Sequence, residues 1–177
     1  MRLDIGRADW LLRSRHLKSS WTPHAGPLPQ AATHEIKAIM QPAEDVAAAI
    51  IVRHDRVFVT RRAAGQTMAG LWEFPGGKLE PGETAQACIV RELAEELAVN
   101  CEAGDVFTTN LHTYSGGAIN LIAVHVHMTS ETWHLSVHDD ARWVTSDDLL
   151  ALDLAPADFP IAKAICALLA DNKTDVE

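Results

Sequence analysis

The run Gly76-Gly77-Lys78-Leu79-Glu80-Pro81-Gly82-Glu83 leads into Thr84–Leu97, a segment with helical period and an unusual concentration of acid. Ile89, Leu93 and Leu97 recur at i, i+4 and i+8, which gives one apolar stripe to bury. Glu92, Glu95 and Glu96 stand at i, i+3 and i+4, so a helix projects all three from one face. Each like-charged pair at that spacing weakens an isolated helix by about 0.2–0.5 kcal/mol. Arg91 offsets only part of the repulsion. A hard divalent cation with oxygen ligands offsets the rest, Mg²⁺ first and Mn²⁺ as the alternative. The segment therefore has to be a core-packed helix that displays carboxylates, fed by a glycine-rich loop. Thr84 is suited to cap its start.

The rest of the chain has the material for a core. With 177 residues, 47% of them hydrophobic, it suits one domain with an appendage. No stretch approaches the ~20 apolar residues that span a bilayer, so no membrane partner is expected. Cys88, Cys101 and Cys166 are odd in number and lack ligand spacing, which fits buried thiols in a reducing cytoplasm. A net charge of −9 argues against general binding to nucleic acid polymers. It leaves room for a small phosphorylated ligand that arrives with its own metal. Monomer and homodimer are equally compatible with the sequence.

The charge is uneven. Residues 1–40 hold six basic and three acidic side chains, leaving nine basic and twenty-one acidic for the remainder. The stretch from Pro23 to Pro29 reads as linker or coil. Residues 1–40 are accordingly read as an appended extension, 41–172 as the folded domain and 173–177 as a tail. A translation start at Met40, an organelle leader and a docking arm are alternative readings of the extension. Asp4 and Asp9 oppose the leader.

Val46–Val52 is an apolar run, and Arg56–Thr60 alternates; His54-Asp55 between them makes a hairpin turn. Arg61–Gly70 reads as loop and Leu71–Phe74 as strand. Ile119–Met128 alternates strictly and reads as a half-exposed strand on which His125 and His127 are ordinary strand residues. Ala141–Val144 is another short strand, Asp147–Leu152 a short helix and Pro160–Ala170 a final amphipathic helix. Trp72 is read as core packing.

Gly77, Glu83, Arg91, Glu92, Leu93, Glu95 and Glu96 carry the pattern Gly-x5-Glu-x7-Arg-Glu-aliphatic-x-Glu-Glu-x-Gly-aliphatic. Through them the chain resembles the Nudix hydrolases. The resemblance implies an α/β fold, a mixed β-sheet sandwiched between α-helices. It implies a Mg²⁺-dependent enzyme with Glu92 and Glu96 as main metal ligands. Glu95 would be a further ligand or the general base, and the carbonyl of Gly76 another oxygen donor. Glu83 would hold outer-shell water or assist the base, and Arg91 would orient Glu83 and the loop. Ala98 departs from the pattern, which has glycine there. Asn100 is expected to take over the left-handed turn that glycine usually makes.

Beyond the signature, Phe58–Ala64, Met68-Ala69 and Glu73-Phe74-Pro75-Gly76-Gly77 resemble the MutT branch, the 8-oxo-dGTP diphosphatases. That branch implies a nucleoside triphosphate substrate, with release of the monophosphate and pyrophosphate. It places Arg62 and Phe74 in the base pocket, Gly77 and Lys78 beside the substrate, and Asp158 where an Asn reads the base. Leu154–Pro160 looks more like the sister CTP pyrophosphohydrolases. An ionised Asp only accepts hydrogen bonds, so Asp158 suits the amine of cytosine or the N7–H of 8-oxoguanine. Oxidised dGTP is the first reading, (d)CTP the second, and a non-catalytic nucleotide-binding module the alternative of a different class. Val137 lies six residues before Trp143, where such families often carry an accessory acidic ligand. Substitution by Asp139 or Asp140 and a weaker accessory metal site are equal alternatives.

Overall fold

The structure is a computed structural model that describes residues 42–174. The extension at 1–40 and the end of the tail lie outside the described residues. In chain order the elements are β1 (Glu44–Arg53), β2 (Arg56–Arg62), β3 (Trp72–Glu73), β4 (Gly76–Lys78), α1 (Ala85–Leu97) and β5 (Cys101–Tyr114). They are followed by β6 (Gly117–Met128), β7 (His138–Thr145), α2 (Ser146–Ala151) and α3 (Phe159–Thr174).

The strands form one mixed sheet in the order β3-β2-β1-β6-β5, with β4 paired to β1 and β7 to β2. β1 and β6 run parallel from Glu44 opposite Ile119 to Ile51 opposite Val126. The other pairs are antiparallel. Ala47–Ile51 is buried throughout because both faces of β1 are covered. On one face Ile50, Val57 and Val59 meet Leu149 of α2 and Ile161 and Ile165 of α3. On the other, Ile51, Phe58 and Val124 meet Ile89, Leu93 and Leu97 of α1. The apolar stripe of the acidic helix thus anchors it flat on the sheet, and the expected sandwich is what forms.

Three expectations need correcting. β6 is not half exposed: it lies between β1 and β5, with Leu121 and Ala123 on the α3 side and Val124 and Val126 on the α1 side. Alternation of similar-sized apolar and polar residues hides a strand covered on both faces. β5 was not expected at all. Its fourteen residues include Gly104, Asp105 and Asn110, and its register slips twice between Ala103 and Thr108. Such bulges destroy the period of two by which a strand is read. Arg61 and Arg62 end β2 and do not start the following loop.

The helix end also differs from expectation. Thr84 caps α1 as foreseen, its hydroxyl accepting from the Ala87 N–H at 3.2 Å. At the far end Ala98 itself takes the left-handed conformation, at φ 55° and ψ 35°. The Val99 N–H reaches back to the Leu93 carbonyl at 3.3 Å. Asn100 does not make the turn; its N–H donates to Ser130 Oγ at 2.9 Å. The buried Val99 fixes where the chain must reverse, and Ala98 has to comply.

Candidate active site

A cavity of about 390 Å³ opens between β1, β3, β4, the C-terminal half of α1 and the segment before α3. Two glycines make its floor. A Cβ on Gly76, at φ +154°, would sit 2.1 Å from the Ala47 carbonyl oxygen, so only glycine lets β4 pair with β1. A Cβ on Gly77 would sit 2.3 Å from Glu92 Oε1. Glycine is what allows α1 to bring that carboxylate against the loop backbone.

Arg91 organises this end. Its Nε donates to Glu83 Oε1 at 3.0 Å and its Nη2 to Glu83 Oε2 at 2.9 Å, a two-pronged pair. Nη1 reaches Glu92 Oε1 at 2.7 Å, and Nη2 also donates to the Lys78 carbonyl at 3.2 Å. Glu83 accepts in addition from the Glu80 N–H at 2.9 Å. The Arg91 and Glu80 hydrogen bonds hold the Glu83 carboxyl down at about 2. Glu83 is therefore a permanently ionised anchor of the loop and a very weak base.

The three helix carboxylates do not share one environment. Glu92 is mostly covered and faces Arg91. Glu95 is 61% exposed and reaches Arg91 only at 3.5 Å. Glu96 lines the cavity, and its Oε2 is buried with no hydrogen-bond partner. Burial pushes Glu96 up to about 7, opposed by His138 and reinforced by the nearby charge of Glu92. Among the described residues, no three His, Cys, Asp or Glu side chains converge as a finished metal cage. The donor set nonetheless fits a hard divalent cation: the cavity-lining Glu96 carboxylate, the Glu92 carboxylate against Gly77 and the glycine loop backbone, all oxygen.

The far end is assembled by a strand-like detour. After α2 the chain runs beside β3, the Trp72 N–H donating to the Asp153 carbonyl and the Ala155 N–H to the Trp72 carbonyl. This carries Asp158 under Phe74, whose N–H donates to Asp158 Oδ1 at 3.0 Å. Asp158 is 6% exposed, and burial pushes its carboxyl up to about 7 against that hydrogen bond. Phe74, Tyr114 and Leu121 supply apolar and aromatic walls. Lys78 stands at the rim, paired with Glu44 at 2.8 Å.

Adjacent arginines part company. Arg61 pairs with Asp139 at 2.7 Å and lies over the Trp72 ring, outside the cavity. Arg62 lines the cavity, pairs with Glu73 and donates from Nε to the Thr67 carbonyl at 2.6 Å. Asp139 and Asp140 do not line the cavity; they pair with Arg61 and Arg142. The residue of β7 that does reach the cavity is His138, whose Nε2 lies 3.1 Å from Glu73 Oε1. Sequence reasoning passed over Glu73, Tyr114 and His138. For Glu73 the signal was its place beside Phe74, and for His138 its place beside Val137.

The family model for the NUDIX domain matches residues 42–165. The chain belongs to that family. It is 38% identical over 131 residues to the CTP pyrophosphohydrolase of Escherichia coli, an alignment covering 74% of this chain and 97% of that protein. It is 34% identical over 114 residues to the 8-oxo-dGTP diphosphatase of the same organism, covering 63% and 88%. Among solved structures, the E. coli ORF135 protein superposes with a TM-score of 0.66 at 37% identity, over 74% of this chain and 94% of that one. The MutT protein of Methanosarcina mazei, at 23% identity and a TM-score of 0.65, shares the fold. Among the described residues no helix is long and apolar enough to cross a membrane.

Proposed function

We propose that the protein is a divalent-metal-dependent nucleoside triphosphate pyrophosphohydrolase, converting NTP and water to NMP and pyrophosphate. The observation that carries this reading is one cavity whose lining joins Glu96, Gly76 and Gly77 to Phe74 and Asp158. Its volume suits a nucleotide. Glu92, Glu96 and the Gly76 carbonyl hold the cation, with Glu95 on the solvent side as further ligand or base. When bound, Mg²⁺ neutralises phosphate oxygens and acidifies a water. Arg91 holds Glu83, Glu92 and the loop carbonyl of Lys78 in fixed relation, so the ligand geometry is set before substrate arrives. Lys78 and the Gly77 backbone meet the phosphates, Arg62 the nucleotide flank, and Phe74 the base face. Asp158 reads the base edge.

Oxidised dGTP is the leading reading; Asp158, when ionised, accepts from the N7–H that 8-oxoguanine has and guanine lacks, which separates the oxidised purine from the ordinary one. (d)CTP is the second reading, favoured by the near-complete coverage of the CTP pyrophosphohydrolase relative. Hydrolysis of 8-oxo-dGTP, dGTP, dCTP and CTP with Mg²⁺ decides between them by kcat/KM and the phosphate released. Orthophosphate as product rejects the bond assignment. Glu96→Gln should lose at least ~100-fold in kcat with its fold intact, and near-normal turnover would remove Glu96 from the ligand set.

A further inference from the structure

Two buried acceptors face the same region with nothing bonded to them. His138 Nδ1 and Glu96 Oε2 are each buried and unpartnered, and both residues line the cavity. The His138 side chain is 2% exposed. The tautomer is set by the other ring nitrogen. Nε2 faces Glu73 Oε1 at 3.1 Å, and Glu73 is itself paired with Arg62. A carboxylate only accepts, so Nε2 carries a hydrogen, and in that tautomer Nδ1 presents a bare lone pair. Glu96 Oε2 likewise only accepts when ionised. Buried polar atoms are rarely left unbonded, and two acceptors are satisfied together by one water that donates to each.

We propose that His138 is a positioning residue for Glu96, holding Oε2 through one bridging water so that Oε1 is presented to the metal. The inference rests on the reading of Glu96 as a metal ligand. Glu73, pinned by Arg62, in turn fixes the imidazole, so β2, β3 and β7 jointly aim a carboxylate that belongs to α1. Ligating carboxylates are commonly oriented by such outer partners. It also explains what stands in for the acid missing at Val137: a neighbour acting through Glu96 in place of a ligand acting directly.

The test separates the two ring nitrogens. In His138→Gln the amide reaches the position of Nε2 and keeps the Glu73 contact while the Nδ1 acceptor is gone. In His138→Asn the amide occupies the position of Nδ1 and the Glu73 contact is gone. Mn²⁺ affinity of the full-chain protein, read from the free-ion electron paramagnetic resonance signal, should weaken about tenfold in His138→Gln and stay within about threefold in His138→Asn. Saturating Mn²⁺ should restore most of kcat in His138→Gln. Wild-type Mn²⁺ affinity in His138→Gln overturns the inference, as does equal loss in both variants in step with their melting temperatures. Glu96→Gln serves as the reference: if it keeps wild-type Mn²⁺ affinity, the ligand assignment and the inference fall together. If only His138→Gln is silent, the inference alone fails.

Discussion

Replacing Asp158 by Asn should stabilise the protein in a pH-dependent way. In the folded state burial raises this carboxyl from its ordinary 3.8 to about 7. Between those values the folded chain keeps a proton that the unfolded chain has released. Unfolding free energy therefore falls as pH rises through the window and is flat above it. At about 1.4 kcal/mol per pH unit, the ionised group costs the fold up to about 4 kcal/mol at pH 8. Asn is neutral throughout and its carbonyl can still accept from the Phe74 N–H. Glu96 and Glu83 titrate in both proteins, so their contributions cancel in the difference. Urea unfolding without metal at pH 4, 5, 6, 7 and 8 should show the two proteins nearly equal at pH 4. At pH 8 the variant should be more stable by about 2–4 kcal/mol. A difference that does not change with pH refutes the argument, because it assigns the effect to packing and not to charge.

The same substitution should flatten the pH dependence of base choice, since wild-type Asp158 gains a hydroxyl donor as it protonates and Asn never changes; relative kcat/KM for 8-oxo-dGTP and dCTP at pH 6 and 8 reads this. Ala98→Gly should stabilise. It relieves about 1–2 kcal/mol of left-handed strain against about 0.4–1 kcal/mol of added unfolded-chain entropy. Ala98 is exposed, so no packing is lost. The melting temperature should rise by about 2–4 °C with kinetics unchanged, and no rise would mean the turn is not strained. Gly76→Ala should do the reverse, because its Cβ meets the Ala47 carbonyl at 2.1 Å. A loss of about 3 kcal/mol or more is expected, and calorimetry showing a wild-type transition would contradict the pairing of β4 with β1.

How much of this was legible in the chain depends on how local the governing physics is. The cap at Thr84 and the buried stripe Ile89-Leu93-Leu97 are fixed by residues within about three turns of one another and were readable, and the ion pair of Arg91 with Glu83 was implied by the family resemblance of the same segment. The left-handed turn at Ala98 was not, because the decision belongs to Val99: its burial in the sheet core fixes the reversal whatever residue precedes it. The half-exposure expected of β6 fails for the same kind of reason. Whether Leu121 is covered depends on α3, forty residues further along the chain. The candidate site divides along this line too. Its acidic helix and glycine floor belong to one segment, whereas His138, Tyr114 and Glu73 come from β7, β5 and β3. Such residues carry no spacing to recognise. What marks His138 is a deficit, a buried nitrogen without a partner in a cavity that also holds a buried, unpartnered oxygen, and a deficit of that kind exists only once the chain has folded.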